Sequence, residues 1–399
     1  MVYQTKNPYT GEVVKTFPDA TDAEVSDAIS QAHKSFLAWR ETSFSHRGSI
    51  LQKAADLLRS QSDELAALLT LEMGKLLSEA KAEVELCAGM LETARAGGAR
   101  AAWRAAVRGA VELPVLPDCP HHRAAAGGRQ HDAAEARVER SAVRRADGEA
   151  DAGRGAACGC FKNLYATREQ VNTIIADPRV HGVALTGSEG AGIVVAVEAA
   201  KAVKKSTMEL GGADAFIVLK DADLEKAVKW GVIGRHWNAG QVCVSSKRMI
   251  IADEIFDDYL KLYTAGVEAL KCGDPMDPST TLAPLSSQGA ADELKEQIKL
   301  AVAHGARAIE VGPKVPAKGA FLQPTILLDV TPQNPAYRME FFGPVSMLLR
   351  FKTEEEAIHI ANDSPYGLGG SVFTKDEKRG QEIASKIETG MVFVNHPTR

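Results

Sequence analysis

No stretch of this sequence approaches the roughly 18 consecutive apolar residues of a membrane-spanning helix. Met1-Val2-Tyr3-Gln4-Thr5-Lys6 lacks the apolar core of a secretion signal. A strong excess of charge is missing as well: a formal net charge of −5 over 399 residues gives no general attraction to nucleic acid or to an anionic membrane. Cysteine is scarce. Cys87, Cys119, Cys158, Cys160, Cys243 and Cys272 are scattered rather than set in a disulfide framework, which fits a reducing, cytoplasmic setting. Metal-ligand spacing is also lacking, so no metal site is expected. Cys158-Gly159-Cys160 is tighter than a zinc hook and has no second pair, and His121-His122 has no partners at ligand spacing.

What is present is enough chain, at 45% hydrophobic content, for two domains with sizeable cores. Asp22 opens an amphipathic helix with Val25, Ala28, Ile29, Ala32 and Phe36 on one face, and helices are expected over residues 45–60 and 62–93. From residue 169 onward short apolar strands alternate with helices, the pattern of an α/β fold. Strands are expected at 182–186, 206–210, 215–219, 248–252, 308–311, 321–327, 345–351, 366–373 and 391–395. Gly187-Ser188-Glu189-Gly190-Ala191-Gly192 reads as a turn into a helix over 193–201, which directs N–H groups and the helix dipole toward a phosphate. Many such turns contain glycine for backbone reasons alone.

The stretch Asn238-Ala239-Gly240-Gln241-Val242-Cys243, with Met208-Glu209-Leu210-Gly211-Gly212 before it, carries the candidate chemistry. A cysteine attacks carbon only as thiolate or when a base takes its proton, and Glu209 is the candidate partner. Small residues beside a nucleophile let backbone N–H groups approach the oxyanion that forms on a carbonyl. Taken alone, a single cysteine is more often a small buried hydrophobe, and Glu209 a solvated surface acid.

Glu-Leu-Gly-Gly at 209–212, Asn-Ala-Gly-Gln-Val-Cys at 238–243 and Glu-Phe-Phe-Gly-Pro at 340–344 resemble, in that order, the motifs of the aldehyde dehydrogenase superfamily. The similarity covers residues 3–89 and 159–397, and its wording is nearest to the succinate-semialdehyde dehydrogenase branch. The resemblance implies a Rossmann-type cofactor domain over 1–212 and an α/β catalytic domain over 213–395. It implies an aldehyde substrate, NAD or NADP as cofactor, Cys243 as nucleophile and Glu209 as activator of water. Gly187, Ser188, Gly192 and Leu210 would contact the cofactor, with Ser188 at the pyrophosphate. Glu340 would accept from two ribose hydroxyls and Phe342 would pack near the nicotinamide; outside the motif Glu340 is an ordinary loop acid. Arg235 is the candidate cation for a substrate's distal carboxylate, and otherwise a surface or helix-capping charge. The family is homo-oligomeric and continues for several tens of residues past the position of Arg399, through a segment that pairs subunits and is expected to be missing here.

Residues 95–154 have a different vocabulary: eleven Arg and no Lys, Ile, Phe, Tyr, Asn, Thr or Met. One reading is an Arg-rich disordered insert that binds an acidic partner in a protein that need not be an enzyme. The other is coding sequence translated out of frame over about 95–158. With permitted codons, residues 110–123 read one nucleotide later give Pro-Trp-Asn-Phe-Pro-Tyr-Tyr-Gln-Ile-Ala-Arg-Ile-Thr-Ala, similar to the family. Glu112 and Glu135 then stand where the family's oxyanion-binding Asn and ribose-binding Lys would be encoded, which implies a catalytically impaired remnant. Stop codons in the shifted frame of the source DNA would rule this reading out.

Overall fold

The computed structural model describes residues 3–95 and 162–398. The Arg-rich block, with Glu112, Glu135, Cys119, Cys158, Cys160 and His121-His122, lies outside the described residues. The chain forms two compact units. The first consists of residues 1–7, 12–73 and 77–210, the second of 8–11, 74–76 and 211–399. Residues 8–11 and 74–76, expected within the cofactor domain, thus belong to the second unit.

In the first unit β1 (Tyr3–Lys6) pairs antiparallel with β2 (Val13–Phe17), followed by α1 (Asp22–Trp39), α2 (Phe44–Ser60), α3 (Ser62–Met73) and α4 (Leu77–Arg95). Thr21 and Glu24 form a reciprocal capping box that satisfies two orphan amides and sets where α1 starts. The helix expected over 62–93 is two helices. The break falls at Gly74, whose φ of +75° only glycine adopts readily, and whose absent Cβ would lie 2.9 Å from Pro284 Cγ. Leu58, Leu69, Met73 and Val84 close one core between α2, α3 and α4. A second core packs α1 against α5 (Arg168–Ala176), β3 (Gly182–Thr186) and α6 (Glu189–Lys201) through Val25, Ile29, Ile174, Leu185 and Val195. Strand β4 (Lys205–Glu209) pairs parallel with β3, Thr186 opposite Glu209.

The second unit is built on a seven-stranded sheet of order β11-β10-β5-β6-β9-β8-β7, parallel except for β7. Its strands are β5 (Ala215–Val218), β6 (Arg248–Ala252), β7 (Arg307–Glu310), β8 (Thr325–Leu328), β9 (Val345–Phe351), β10 (Gly369–Phe373) and β11 (Met391–Val394). The connecting helices include α7 (Leu224–His236), α8 (Phe256–Glu268), α9 (Gln288–Ala303), α10 (Glu354–Asn362) and α11 (Glu377–Ala384). Central strands covered on both faces must be apolar at every position, which is why Phe216-Ile217-Val218 and Met249-Ile250-Ile251 are continuous hydrophobic runs. Ile217, Ile250, Leu327 and Leu349 meet α9, α10 and α11 on one face. Phe216, Met249, Ile326 and Leu348 meet α7 and α8 on the other. The strand expected from 321 begins only at Thr325, because Pro324 has no N–H to donate to a ladder.

Candidate active site

Cys243 lies between α7 and β6, on a loop at the amino-terminal ends of the central strands. Gly212, which precedes β5, and Val345, which opens β9, both touch this loop or its clamp. After α7 the chain makes three consecutive left-handed residues: Asn238 at φ 51°, Ala239 at 54° and Gly240 at 79°. For Ala239 that conformation costs about 1–2 kcal/mol. The surroundings impose it. A Cβ on Gly240 would lie 2.5 Å from the Gly343 carbonyl oxygen, Asn238 Nδ2 donates to the Gln241 carbonyl at 3.1 Å, and Gln241 Oε1 accepts from the Ser286 amide at 2.9 Å.

Arg235 locks this turn from beneath and is fully buried. Its guanidinium donates to the Val345 carbonyl (2.7 Å), the Phe341 carbonyl (2.6 Å), the Gly240 carbonyl (3.2 Å), Ser245 Oγ (2.6 Å) and the Gly343 carbonyl. Burial draws its pKa down to about 10. The five N–H groups of the fork meet five acceptors inside the protein. The expected contact between Arg235 and a substrate carboxylate is therefore corrected: this arginine fastens the Cys243 loop to the 341–345 segment.

Cys243 itself is half-buried. Burial pushes its thiol up, against the downward pull of the Lys247 ammonium and the Val244 amide; Asp214 and Glu340 push further upward. Lys247, only 2% exposed, donates to the Val242 carbonyl at 2.6 Å and the Cys243 carbonyl at 2.9 Å, and pairs with Glu340 Oε1 at 3.1 Å. The Phe342 ring lies 5.7 Å from the same ammonium. Glu340 Oε1 also accepts from the Gly212 amide at 3.0 Å. The paired glycines have a spatial reason. A Cβ on Gly211 would fall 2.3 Å from Glu340 Oε2, and one on Gly212 would fall 2.4 Å from the Cys243 carbonyl oxygen. Close by, burial raises the Asp214 carboxyl to about 6 although the Gly369 amide donates to it at 3.1 Å.

In the first unit, Gly187, Ser188 and Glu209 share the carboxyl-terminal edge of the β3–β4 pair, where ligands commonly bind in α/β sheets. The expected turn over 187–192 is mostly helix. Ser188 is the N-cap of α6, its Oγ accepting from the Ala191 amide at 3.4 Å. The amides of Gly187 and Gly192 donate to the carbonyls of Glu209 and Ser188, both at 2.9 Å, so those two glycines do not supply N–H groups to a phosphate. The first-turn amides of Glu189 and Gly190 lie outside the helical ladder. Gly192 instead makes room for Leu210, whose Cδ2 would lie 2.7 Å from a Cβ there. Glu209 is exposed, on a strand that is exposed or half-buried along its length, unlike the apolar strand expected.

The model of the aldehyde dehydrogenase family matches residues 1–109 and 154–399. The chain belongs to that family. Residues 110–153, which the match leaves out, fall within the Arg-rich block. A succinate-semialdehyde dehydrogenase [NADP(+)] of Deinococcus radiodurans is 40% identical, over 99% of this chain and 87% of that one. Its namesake in Mycobacterium avium is 39% identical over 100% and 89%. A crystal structure of succinic semialdehyde dehydrogenase from Streptococcus pyogenes with NADP+ superposes with a TM-score of 0.86 at 37% identity, covering 100% of this chain and 92% of that one.

Aldehyde dehydrogenases oxidise an aldehyde to its acid, and the second unit gathers Cys243, Glu340 and Phe342 within one cluster, while Glu209, Ser188 and Leu210 lie together in the first. In the first unit the capped N-terminus of α6 is of a kind that suits a phosphate; in the second, the Glu340 carboxylate is 19% exposed at its side chain. Sequence reasoning missed Lys247 and Asp214. A lysine four residues after the cysteine and immediately before the buried strand Arg248–Ala252 was the available signal. Among the described residues no group of three or more His, Cys, Asp or Glu is placed to hold a metal, and no helix is long and apolar enough to cross a membrane.

Proposed function

We propose that this chain oxidises succinic semialdehyde to succinate with NADP+, through Cys243 and Glu209. The half-buried Cys243 thiol on a loop braced by Arg235 and Lys247 carries the reading of the chemistry. The two relatives at 39–40% identity support the substrate and cofactor. Cys243 Sγ, its proton released to solvent water, attacks the aldehyde carbon, forming a thiohemiacetal whose oxyanion is held by backbone amides beside the sulfur. Collapse of that adduct expels a hydride and leaves an acyl thioester on Cys243. The nicotinamide of a bound cofactor would supply the hydride acceptor. The exposed Glu209 carboxylate takes a proton from water, the hydroxide equivalent attacks the thioester, and the acid leaves as the Cys243 thiolate is restored.

Glu189 and Gly190 amides, with Ser188 and Leu210, would hold the cofactor in the first unit, and Glu340 and Phe342 in the second. The scattered spacing of the cysteines supports a reducing, cytoplasmic setting, and the family resemblance supports a homo-oligomer. Purified protein mixed with succinic semialdehyde and NADP+ or NAD+ tests the proposal by absorbance of the reduced cofactor. Turnover abolished in Cys243→Ala is the expected result. Turnover that survives in Cys243→Ala overturns the nucleophile, and a soluble, folded wild type without turnover overturns the proposed activity.

A further inference from the structure

We propose that Lys247 is a positioning residue that fixes the Cys243 backbone to the Glu340 carboxylate and stabilises the Cys243 thiolate through its buried charge; this rests on Cys243 being the nucleophile. An ammonium has three N–H groups, and this one has three acceptors at hydrogen-bond distance: the carbonyls of Val242 and Cys243 and Glu340 Oε1. The two carbonyls flank the nucleophile's own peptide unit, so the lysine sets the height and tilt of the backbone from which Sγ projects. Its carboxylate partner is held from a second side by the Gly212 amide, and Gly212 in turn packs against the Cys243 carbonyl. The three segments 211–212, 242–247 and 340–342 thus close into one ring of contacts with Lys247 at its centre. Phe342 covers the ammonium, and at 2% exposure water contributes little screening.

The charged groups around Lys247 are Glu340, Asp214 and Arg235, with Cys243 as the neutral neighbour whose ionisation the lysine favours. Of the two buried cations, Lys247 binds the backbone of Cys243 itself and is the one whose charge pulls the thiol down. A neutral residue of similar length would fill the same space and remove that action. A purely structural lysine would change stability on replacement and leave the ionisation of Cys243 where it was.

The test is the pH dependence of Cys243 alkylation by iodoacetamide, with the modified residue located by mass spectrometry, in Lys247→Met and Lys247→Arg. Lys247→Met should move the midpoint upward by about one pH unit, the size of effect a nearby opposite charge has on a thiol, and Lys247→Arg should restore most of the shift. Because Lys247→Met leaves the half-buried Glu340 without its cation and can fail to fold, Glu340→Gln is compared with Lys247→Met/Glu340→Gln, in which neither charge remains. A midpoint about one unit higher in the double variant supports the proposal. Equal midpoints in that pair overturn it, as does a folded Lys247→Met with an unshifted midpoint. Turnover in Cys243→Ala separates the two failures: if it persists, the reading of Cys243 is wrong, whereas its loss with unshifted midpoints refutes only the role of Lys247.

Discussion

Replacing Arg235 by lysine separates a clamp from a substrate contact. The guanidinium serves five acceptors, and an ammonium at the same site can serve three at most, so two buried acceptors lose their donor. Each buried oxygen left unsatisfied costs about 1–3 kcal/mol, and two at about 1.5 kcal/mol give about 3 kcal/mol. For a unit of this size that corresponds to a fall of roughly 6–12 °C in the unfolding midpoint. Differential scanning calorimetry of wild type and Arg235→Lys measures it directly. The acceptors at risk include Gly240 and Ser245, at either end of the Cys243 loop, so alkylation of Cys243 should slow in parallel. A substrate-binding arginine behaves differently: the melting temperature stays put and KM rises for the dicarboxylic semialdehyde while an uncharged aldehyde is unaffected. That second pattern, with an unchanged midpoint, refutes the clamp.

Two further substitutions probe the same cluster. Gly212→Ala drives a Cβ to 2.4 Å from the Cys243 carbonyl oxygen, which is backbone and yields little; a displacement of about 1 Å at the nucleophile lowers kcat about a hundredfold, and kcat within about threefold of wild type would show that the loop absorbs the methyl freely. Asp214, about 6 when folded against 3.8 as the free side chain, is protonated more readily folded than unfolded. Its contribution to stability is therefore present below pH 3.8 and lost as pH rises through about 6, on the order of 3 kcal/mol in all. Asp214→Asn should flatten urea-derived stability between those pH values, and an unaltered slope would contradict the buried-acid account.

The α/β alternation after residue 169 was legible because strands covered on both faces need apolar residues throughout, as in Phe216-Ile217-Val218. Cys243 stands out only through its motif, since single-residue reasoning favours an inert buried thiol. What could not be read is where polar side chains point. Arg235 and Lys247 both stand near the cysteine as cations on a loop-bearing segment, and their charge alone invites a substrate-binding role. Only the positions of the carbonyls of Val345, Phe341 and Gly240 show that Arg235 is turned inward. The same holds for glycine. Gly187, Gly192, Gly211 and Gly212 look alike in sequence as sites of close approach, yet Gly192 makes room for Leu210 within the first unit while Gly211 and Gly212 make room for Glu340 and Cys243.

The left-handed run from Asn238 to Gly240 follows the same logic one level higher. No local propensity requires Ala239 to take φ 54°, and in an isolated peptide it would relax. Arg235 draws in the carbonyls of Gly240 and Gly343, the Gln241 side chain bridges Asn238 and Ser286, and Lys247 holds the carbonyls on either side of the nucleophile's peptide unit. The Arg235–Gly343 bond joins positions 108 residues apart and the Ser286–Gln241 bond positions 45 apart, so the strain exists only once the unit has folded. The geometry of Cys243 is therefore set by tertiary contacts around two buried cations and not by local propensity.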